Sequence, residues 1–115
     1  MPRDYKLYLR DIVEAARFIE RLTQGLTYEA FLADEVRLRA VLNSLTTIGE
    51  AARHVPDELR DRTPAIPWRE MTGVRNIIVH GYFSVNLTII WNINEVEISA
   101  MRRQVEELLS ELEQT

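Results

Sequence analysis

Three long segments of this chain repeat apolar residues at steps of three and four, and this periodicity limits the chain to helical folds. The segments cover residues 4 to about 24, 34 to about 55 and 86 to about 112. Such steps place side chains on one face of an α-helix, whereas no stretch alternates as a half-buried strand would. The sequence therefore predicts an all-α fold.

Glycine and proline residues indicate where these helices end. Gly25 follows the first helix and Pro56 follows the second, and both residue types are common just beyond a helix. A further helix is expected to start at Trp68 and end at Gly81, ahead of a final helix that Asn86 caps. We expect a mostly antiparallel bundle of four to five main helices, forming one domain over residues 1–115.

Shorter elements are predicted between the main helices. Residues 28–32 read as a helical turn opened by Thr27, with Phe31 and Leu32 directed into the core, and residues 56–63 read as a short polar helix. Residues 64–67 are predicted to be an extended connector, because the residue before a proline is biased away from helix. Gly49 lies inside the second long helix, which indicates either a close approach of another backbone or tolerance in a well-packed bundle.

Composition narrows the possible functions. The chain has 115 residues, no cysteine and a net charge of −4 at pH 7. The lack of cysteine excludes a disulfide scaffold and a thiolate nucleophile, and it fits a reducing cytoplasm. The N-terminal segment is charged and amphipathic, so neither a signal peptide nor a membrane span is expected. The negative net charge counts against a broad basic face for nucleic acid, so any contact with RNA must be local.

The segment from Arg75 to Tyr82 carries the strongest functional signal. His80 follows an apolar run, residues 77–79. The guanidinium of Arg75 precedes this run, and the phenol of Tyr82 comes two residues after His80. An imidazole can accept and return a proton at neutral pH, and an arginine offers a forked donor array that matches phosphate oxygens. These side chains can therefore perform phosphate chemistry without a metal or a cofactor.

The sequence motif Arg-x4-His-x-Tyr, from Arg75 to Tyr82, resembles the signature of HEPN-domain ribonucleases, in particular the HepT-like toxins. Residues 48–52, 64–68 and 81–91 also resemble that family in the same order. The resemblance implies a metal-independent endoribonuclease that acts on RNA as the toxin of a type VII-like toxin–antitoxin pair. It further implies a symmetric homodimer with a composite cleft, and a minimal nucleotidyltransferase antitoxin that attaches adenylyl groups to the motif tyrosine, here Tyr82.

Helical geometry makes a separate demand on the motif. At about 100° per residue, Arg75 and Tyr82 point nearly the same way, whereas His80 lies roughly 140° around the axis from Arg75. One straight helix cannot bring all three together. Either the helix ends or bends at Gly81, or the motifs of two subunits meet at a two-fold interface, which the resemblance favours.

Further side chains near the motif receive supporting roles. Asn76 either orients Arg75 or donates to a phosphate, and Tyr82 either positions a nucleotide or packs in the core. Glu50 is expected to orient a site residue by pairing with Arg53 or Arg75. His54 is read as a structural group that offsets the dipole at a helix end.

Two other functions remain open at this point. The chain could be a non-catalytic subunit that binds a nucleotide or substrate for a nucleotidyltransferase, or a structural dimerisation module. The acidic residues near the C-terminus are interpreted as a solvated tail: Glu106, Glu107, Glu111 and Glu113. No metal site is expected there, because no histidine lies at ligand spacing from them.

Overall fold

The computed structural model describes residues 3–81 and 86–114, and this part of the chain is helical, with no strand. The predicted all-α bundle is confirmed. Its helices are α1 (Tyr5–Thr23), α2 (Tyr28–Ala33), α3 (Glu35–Arg53), α4 (Asp57–Asp61), α5 (Trp68–His80), α6 (Leu87–Asn92) and α7 (Ile98–Glu113), with a π-helical segment, Ile93–Glu97, between the last two.

The main helices begin and end close to the predicted positions because local capping chemistry sets their boundaries. The carboxylate of Asp4 accepts a hydrogen bond from Lys6 N–H at 2.9 Å, and Asp34 accepts one from Arg37 N–H at 3.1 Å. Such caps satisfy amide groups that lack partners inside the helix. Beyond the end of α1, Gly25 adopts a φ of 71°, in the left-handed region that glycine enters without strain.

The core lies between α1, α3, α5 and α7. Helix α3 packs against both α1 and α5, and α1 also packs against α7. Leu32, expected in the core, is 40% exposed, and two residues on the apolar stripes of their helices are also exposed, Leu7 at 37% and Val36 at 79%. Near the helix ends the apolar face no longer meets a neighbour, so periodicity overstates the core there. The largest fully buried side chains are Phe31, Leu9, Ile12, Ile19, Val41, Val55 and Val105.

The connector between α4 and α5 turns instead of running extended as predicted. Ile66 N–H donates to the carbonyl of Thr63 at 3.1 Å, and this bond closes a turn with Pro64 in its second position. Proline is favoured there because its fixed φ suits a turn. The indole of Trp68 then donates to the Thr63 hydroxyl at 3.0 Å, which fixes the start of α5.

The final helix is interrupted by a π-helical segment that the sequence reading did not predict. Ile98 N–H donates to the carbonyl of Ile93, five residues back. Asn94, within this segment, is buried, and its side-chain amide has no hydrogen-bond partner among the described residues. Asn86 caps the start of this final helical region as predicted, accepting from Thr88 N–H at 3.0 Å.

A network of charged side chains connects α1 to α7. Arg102 contacts Glu20 and Glu106 at 2.6 Å each, and Arg17 also reaches Glu106 at 3.1 Å. Hydrogen bonds from Arg102 and Arg17 lower the pKa of Glu106. Burial pushes the pKa of Glu20 upward, but hydrogen bonds from Ser99 and Arg102 outweigh this and leave it below its ordinary value. The interpretation of Glu106 as part of a solvated tail was therefore wrong.

No helix in the described part of the chain is long and apolar enough to cross a membrane.

Candidate functional site

The site begins where α3 and α5 cross at close range, at Gly49. A Cβ atom built on Gly49 would collide with the Cβ of Arg75 and lie 2.7 Å from the carbonyl oxygen of Met71. Only glycine allows this approach, so of the two interpretations of Gly49 the close backbone contact is correct. The crossing brings the start of the Arg75 side chain directly against α3.

Arg75 is held by side chains on both helices. Its Nε lies 3.1 Å from Glu50 Oε2, an ion pair in which the N–H does not point at the oxygen well enough for a hydrogen bond. Its Nη1 donates to Asn76 Oδ1 at 3.1 Å. The side chain is 21% exposed. Since an arginine carries five N–H donors, these contacts orient the guanidinium and leave donors for an anion.

His80 occupies the last turn of α5, as predicted, and is exposed. Gly81 N–H donates to the carbonyl of Ile77 at 2.9 Å and ends the helix there. The helix therefore stays regular from Arg75 to His80, and the two side chains leave it in different directions. Tyr82, for which a role in positioning or modification was expected, lies outside the described residues.

Glu50 lies between two arginines and a histidine. Besides Arg75, its carboxylate lies 3.7 Å from Arg53 Nη1 and 3.7 Å from His54 Nε2. Glu50 thus contacts both of the arginines named as its possible partners. Two guanidinium groups share one carboxylate, so the immediate surroundings of Arg75 are more positive than the net charge of the chain implies.

His54 makes a contact that the sequence reading missed. Its ring stacks on that of Tyr8 from α1, with centroids 4.7 Å apart and an angle of 15° between the planes. The guanidinium of Arg3 lies 4.6 Å from the centroid of the same tyrosine ring. Periodicity carries no signal for this stack, because it depends on the tertiary packing of α1 against α3.

The described side chains favour anion binding over metal binding. No group of three or more histidine or acidic residues within residues 3–81 and 86–114 could hold a metal ion. The described residues instead supply an oriented guanidinium with a second arginine beside it and, in a different direction from α5, an exposed imidazole. These are the groups that bind a phosphodiester and move protons at it.

Comparison with known proteins gives a consistent result over nearly the whole chain. A family model described as ribonuclease HepT-like matches residues 12–108. A probable ribonuclease HepT of Thermococcus cleftensis is 37% identical over 108 residues, which cover 94% of this chain and 98% of that protein.

Further relatives carry the name "Putative RNase". One of those from Methanocaldococcus jannaschii is 35% identical over 104 residues, covering 90% of this chain and 95% of its own length. The one from Caldanaerobacter subterraneus is 38% identical over 102 residues, covering 89% of this chain and 91% of its own length. No solved structure matches the chain.

Proposed function

Because the chain belongs to the ribonuclease HepT-like family, we propose that it is a metal-independent endoribonuclease with Arg75 and His80 as its catalytic groups. The observation that carries this proposal is the ion pair that orients Arg75 towards Glu50 while leaving donors unused. His80 follows roughly 7.5 Å further along the helix axis and is exposed, so a substrate can reach its ring.

The proposed reaction is attack of an RNA 2′-hydroxyl on the adjacent phosphodiester. His80 takes the proton from the 2′-hydroxyl as the bond between O2′ and phosphorus forms. The bond from phosphorus to the 5′ oxygen breaks, and a histidine returns a proton to that leaving oxygen. Arg75 stabilises the charge that develops on the phosphate oxygens. The products are a 2′,3′-cyclic phosphate and a 5′-hydroxyl end.

Glu50 and Asn76 position Arg75 in this proposal. Both contact the guanidinium and fix its plane, and a preorganised donor stabilises a transition state better than a mobile one. Asn76 is also exposed, so its amide can donate to a phosphate oxygen. Arg53 adds positive charge at Glu50 Oε2, the same oxygen that Arg75 contacts.

The biological role proposed is that of a toxin in a type VII-like toxin–antitoxin pair, acting as a homodimer in the cytoplasm. Its partner is a minimal nucleotidyltransferase that adenylylates Tyr82. Tyr82 belongs to the same sequence motif as Arg75, and in this proposal an adenylyl group on its oxygen brings negative charge to the anion site. That charge repels the RNA phosphate and switches the nuclease off.

An RNA cleavage assay on the purified protein tests the catalytic proposal. Cleavage is expected to persist in EDTA and to stop in His80→Ala and Arg75→Ala. Arg39→Ala is the matched control, because Arg39 lies on α3 as an exposed side chain paired with Glu35. A substrate with 2′-deoxy sugars is expected to remain uncut, since the nucleophile is then absent.

Two results would contradict this mechanism. A strict requirement for added divalent metal would exclude it, and so would full activity in folded His80→Ala protein. If the protein binds RNA but never cuts it, the alternative function applies, in which the chain is a non-catalytic nucleotide- or substrate-binding subunit of a nucleotidyltransferase.

A further inference from the structure

The end of α3 presents an aromatic surface beside Arg75. His54 follows the last residue of α3, and its side chain remains 47% exposed although its ring stacks on Tyr8. A histidine that served only to terminate the helix would not need a nearly parallel aromatic partner. The stack instead holds the imidazole plane in a fixed orientation at the surface.

This surface adjoins the catalytic arginine directly. His54 Nε2 lies 3.7 Å from Glu50 Oε1, and Arg75 Nε lies 3.1 Å from Glu50 Oε2. The two side chains therefore contact opposite oxygens of one carboxylate. A group bound at Arg75 and a group resting on the His54 ring would be close neighbours.

The charge near this surface favours an anionic polymer. The two guanidinium groups of Arg53 and Arg75 share the single carboxylate of Glu50, whereas the chain as a whole carries a net charge of −4. The positive charge is thus concentrated where the aromatic surface lies. Single-stranded nucleic acids bind where an aromatic platform meets positive charge, because bases stack and phosphates pair with the cations.

We propose that His54, supported by Tyr8 and flanked by Arg53, forms a subsite that stacks a base of single-stranded RNA next to the phosphate held at Arg75. This inference rests on the proposed function and adds a substrate contact outside the Arg-x4-His-x-Tyr motif. The subsite selects for an unpaired nucleotide, since a base inside a duplex cannot expose its face to the imidazole.

Binding of uncleavable oligonucleotides tests the subsite separately from catalysis. The probes are short 2′-O-methyl oligouridylates, each with one 2-aminopurine at a different position and a fluorescein at one end. Anisotropy gives the affinity, and quenching of 2-aminopurine reports stacking on a ring. The wild-type protein is expected to bind these probes and to quench 2-aminopurine at one or a few positions.

Four variants separate stacking from charge and from fold. His54→Ala should weaken binding by about tenfold, the effect of losing one base stack, and should abolish the quenching. His54→Phe keeps a flat ring and should retain the quenching. Arg53→Ala leaves the stack in place and should weaken binding by about threefold, as expected for one phosphate contact. Arg39→Ala, on the same helix about 21 Å away, should match wild type.

Each result decides the inference. Equal affinity and equal quenching in wild type and His54→Ala would overturn it, as would a wild-type protein that binds none of the probes. If His54→Ala does not fold, Arg53→Ala decides, because binding equal to that of Arg39→Ala would overturn the subsite. RNA cleavage that does not depend on His54 removes the subsite and leaves the nuclease proposal standing. Binding that depends on His54, without any cleavage of unmodified RNA, keeps the subsite and rejects the nuclease proposal.

Discussion

At the scale of single residues, Arg75 shows how a guanidinium can be both anchored and available. Glu50 and Asn76 hold two of its nitrogens, while the rest of its planar donor array remains for a phosphate. A lysine has a single ammonium group on a flexible stem and cannot keep the anchoring contacts while it binds a phosphate bidentately.

Arg75→Lys should therefore reduce RNA cleavage by about a hundredfold, a typical loss when one transition-state donor is removed. The measurement is the single-turnover cleavage rate, with circular dichroism to verify the fold. Arg39→Lys serves as the matched control and should cleave at the wild-type rate. A fully active Arg75→Lys protein would show that positive charge alone is sufficient and that the forked geometry has no role.

A second prediction concerns a single residue, Tyr82, which lies outside the described residues. Tyr82→Phe keeps the aromatic ring and removes the hydroxyl, so the variant should resist adenylylation by the proposed nucleotidyltransferase partner and ATP while keeping at least part of any nuclease activity. Intact-mass measurement of both proteins after incubation checks this. An equal gain of adenylyl mass in wild type and Tyr82→Phe would place the modification on another residue.

Some residues of the candidate site can be predicted from the sequence and others cannot, for a physical reason. Arg75, His80 and Glu50 could be proposed from the sequence, because Arg75 and His80 lie in one helix and the family resemblance extends to residues 48–52. The stack of His54 on Tyr8 could not be proposed in this way. It joins side chains from two helices whose relative rotation depends on how the whole core packs.

At the scale of the elements, two glycines in helices provide opposite tests of the α3–α5 crossing. A methyl group on Gly49 would collide with Arg75 and with the Met71 carbonyl, whereas one on Gly73 would meet nothing within 4 Å. Both positions gain the same intrinsic helix propensity from alanine. Only the packing differs.

Gly49→Ala should lower the free energy of unfolding by about 1–3 kcal/mol, as overpacking does, and should reduce cleavage by displacing Arg75. Gly73→Ala should raise the free energy of unfolding by about 0.5–1 kcal/mol and keep the wild-type activity. Urea unfolding followed by circular dichroism measures both. A neutral Gly49→Ala would mean that the two helices can separate without cost to the site.

The network between α1 and α7 gives stability a dependence on pH. The pKa values of Glu20 and Glu106 are below their ordinary value of 4.5 in the folded protein. As pH falls, the unfolded chain therefore takes up protons before the folded chain does. The stabilisation is complete above about pH 5 and is lost as pH falls through the lowered values.

Glu20→Gln should remove part of this dependence. It should cost about 1 kcal/mol near neutral pH, typical of a charged pair that is largely shielded from water, and should flatten the fall in melting temperature below pH 4.5. Thermal unfolding across the acidic range measures the effect, with Glu29→Gln as an exposed control. Parallel pH curves for Glu20→Gln and wild type would remove Glu20 from the network.

Helix boundaries were largely predictable, whereas the π-helical segment was not. Asp34, Thr27 and Asn86 cap their helices through hydrogen bonds within three residues, and such local chemistry can be read from sequence. In the final helix, the apolar residues Ile93 and Ile98 are five residues apart, which corresponds to the π turn between them. A helical periodicity of 3.6 tolerates such a step, so the π turn is shown only by the hydrogen bond from Ile98 N–H to the carbonyl of Ile93.

At the scale of the whole molecule, an apolar side chain between Arg75 and His80 is exposed. Ile77 lies on α5 and is 57% exposed. Burying it against a second copy would remove it from water. A two-fold contact through the face of α5 that carries Ile77 would also bring two motifs together, so we expect a homodimer through this face.

Charge introduced into this face should dissociate the dimer. Ile77→Glu should shift the protein to monomer in sedimentation equilibrium, because a buried unpaired carboxylate is costly. Val36→Glu is the control: Val36 is even more exposed but lies near the start of α3, where a charge should leave the dimer intact. A wild-type protein that is monomeric at micromolar concentration would contradict the proposed dimer.

Mixing two inactive variants then decides whether the cleft is shared between subunits. In a two-fold dimer whose clefts each combine Arg75 of one subunit with His80 of the other, a heterodimer of Arg75→Ala and His80→Ala contains one cleft with both groups intact. Random exchange makes half of the dimers heterodimers, so the mixture should recover about a quarter of wild-type activity.

If each subunit used its own Arg75 and His80, every cleft in the mixture would lack one group and cleavage would stay absent. Exchange without recovered activity would therefore place both catalytic groups of each site on one subunit, and the composite cleft would be rejected even if the dimer itself is real.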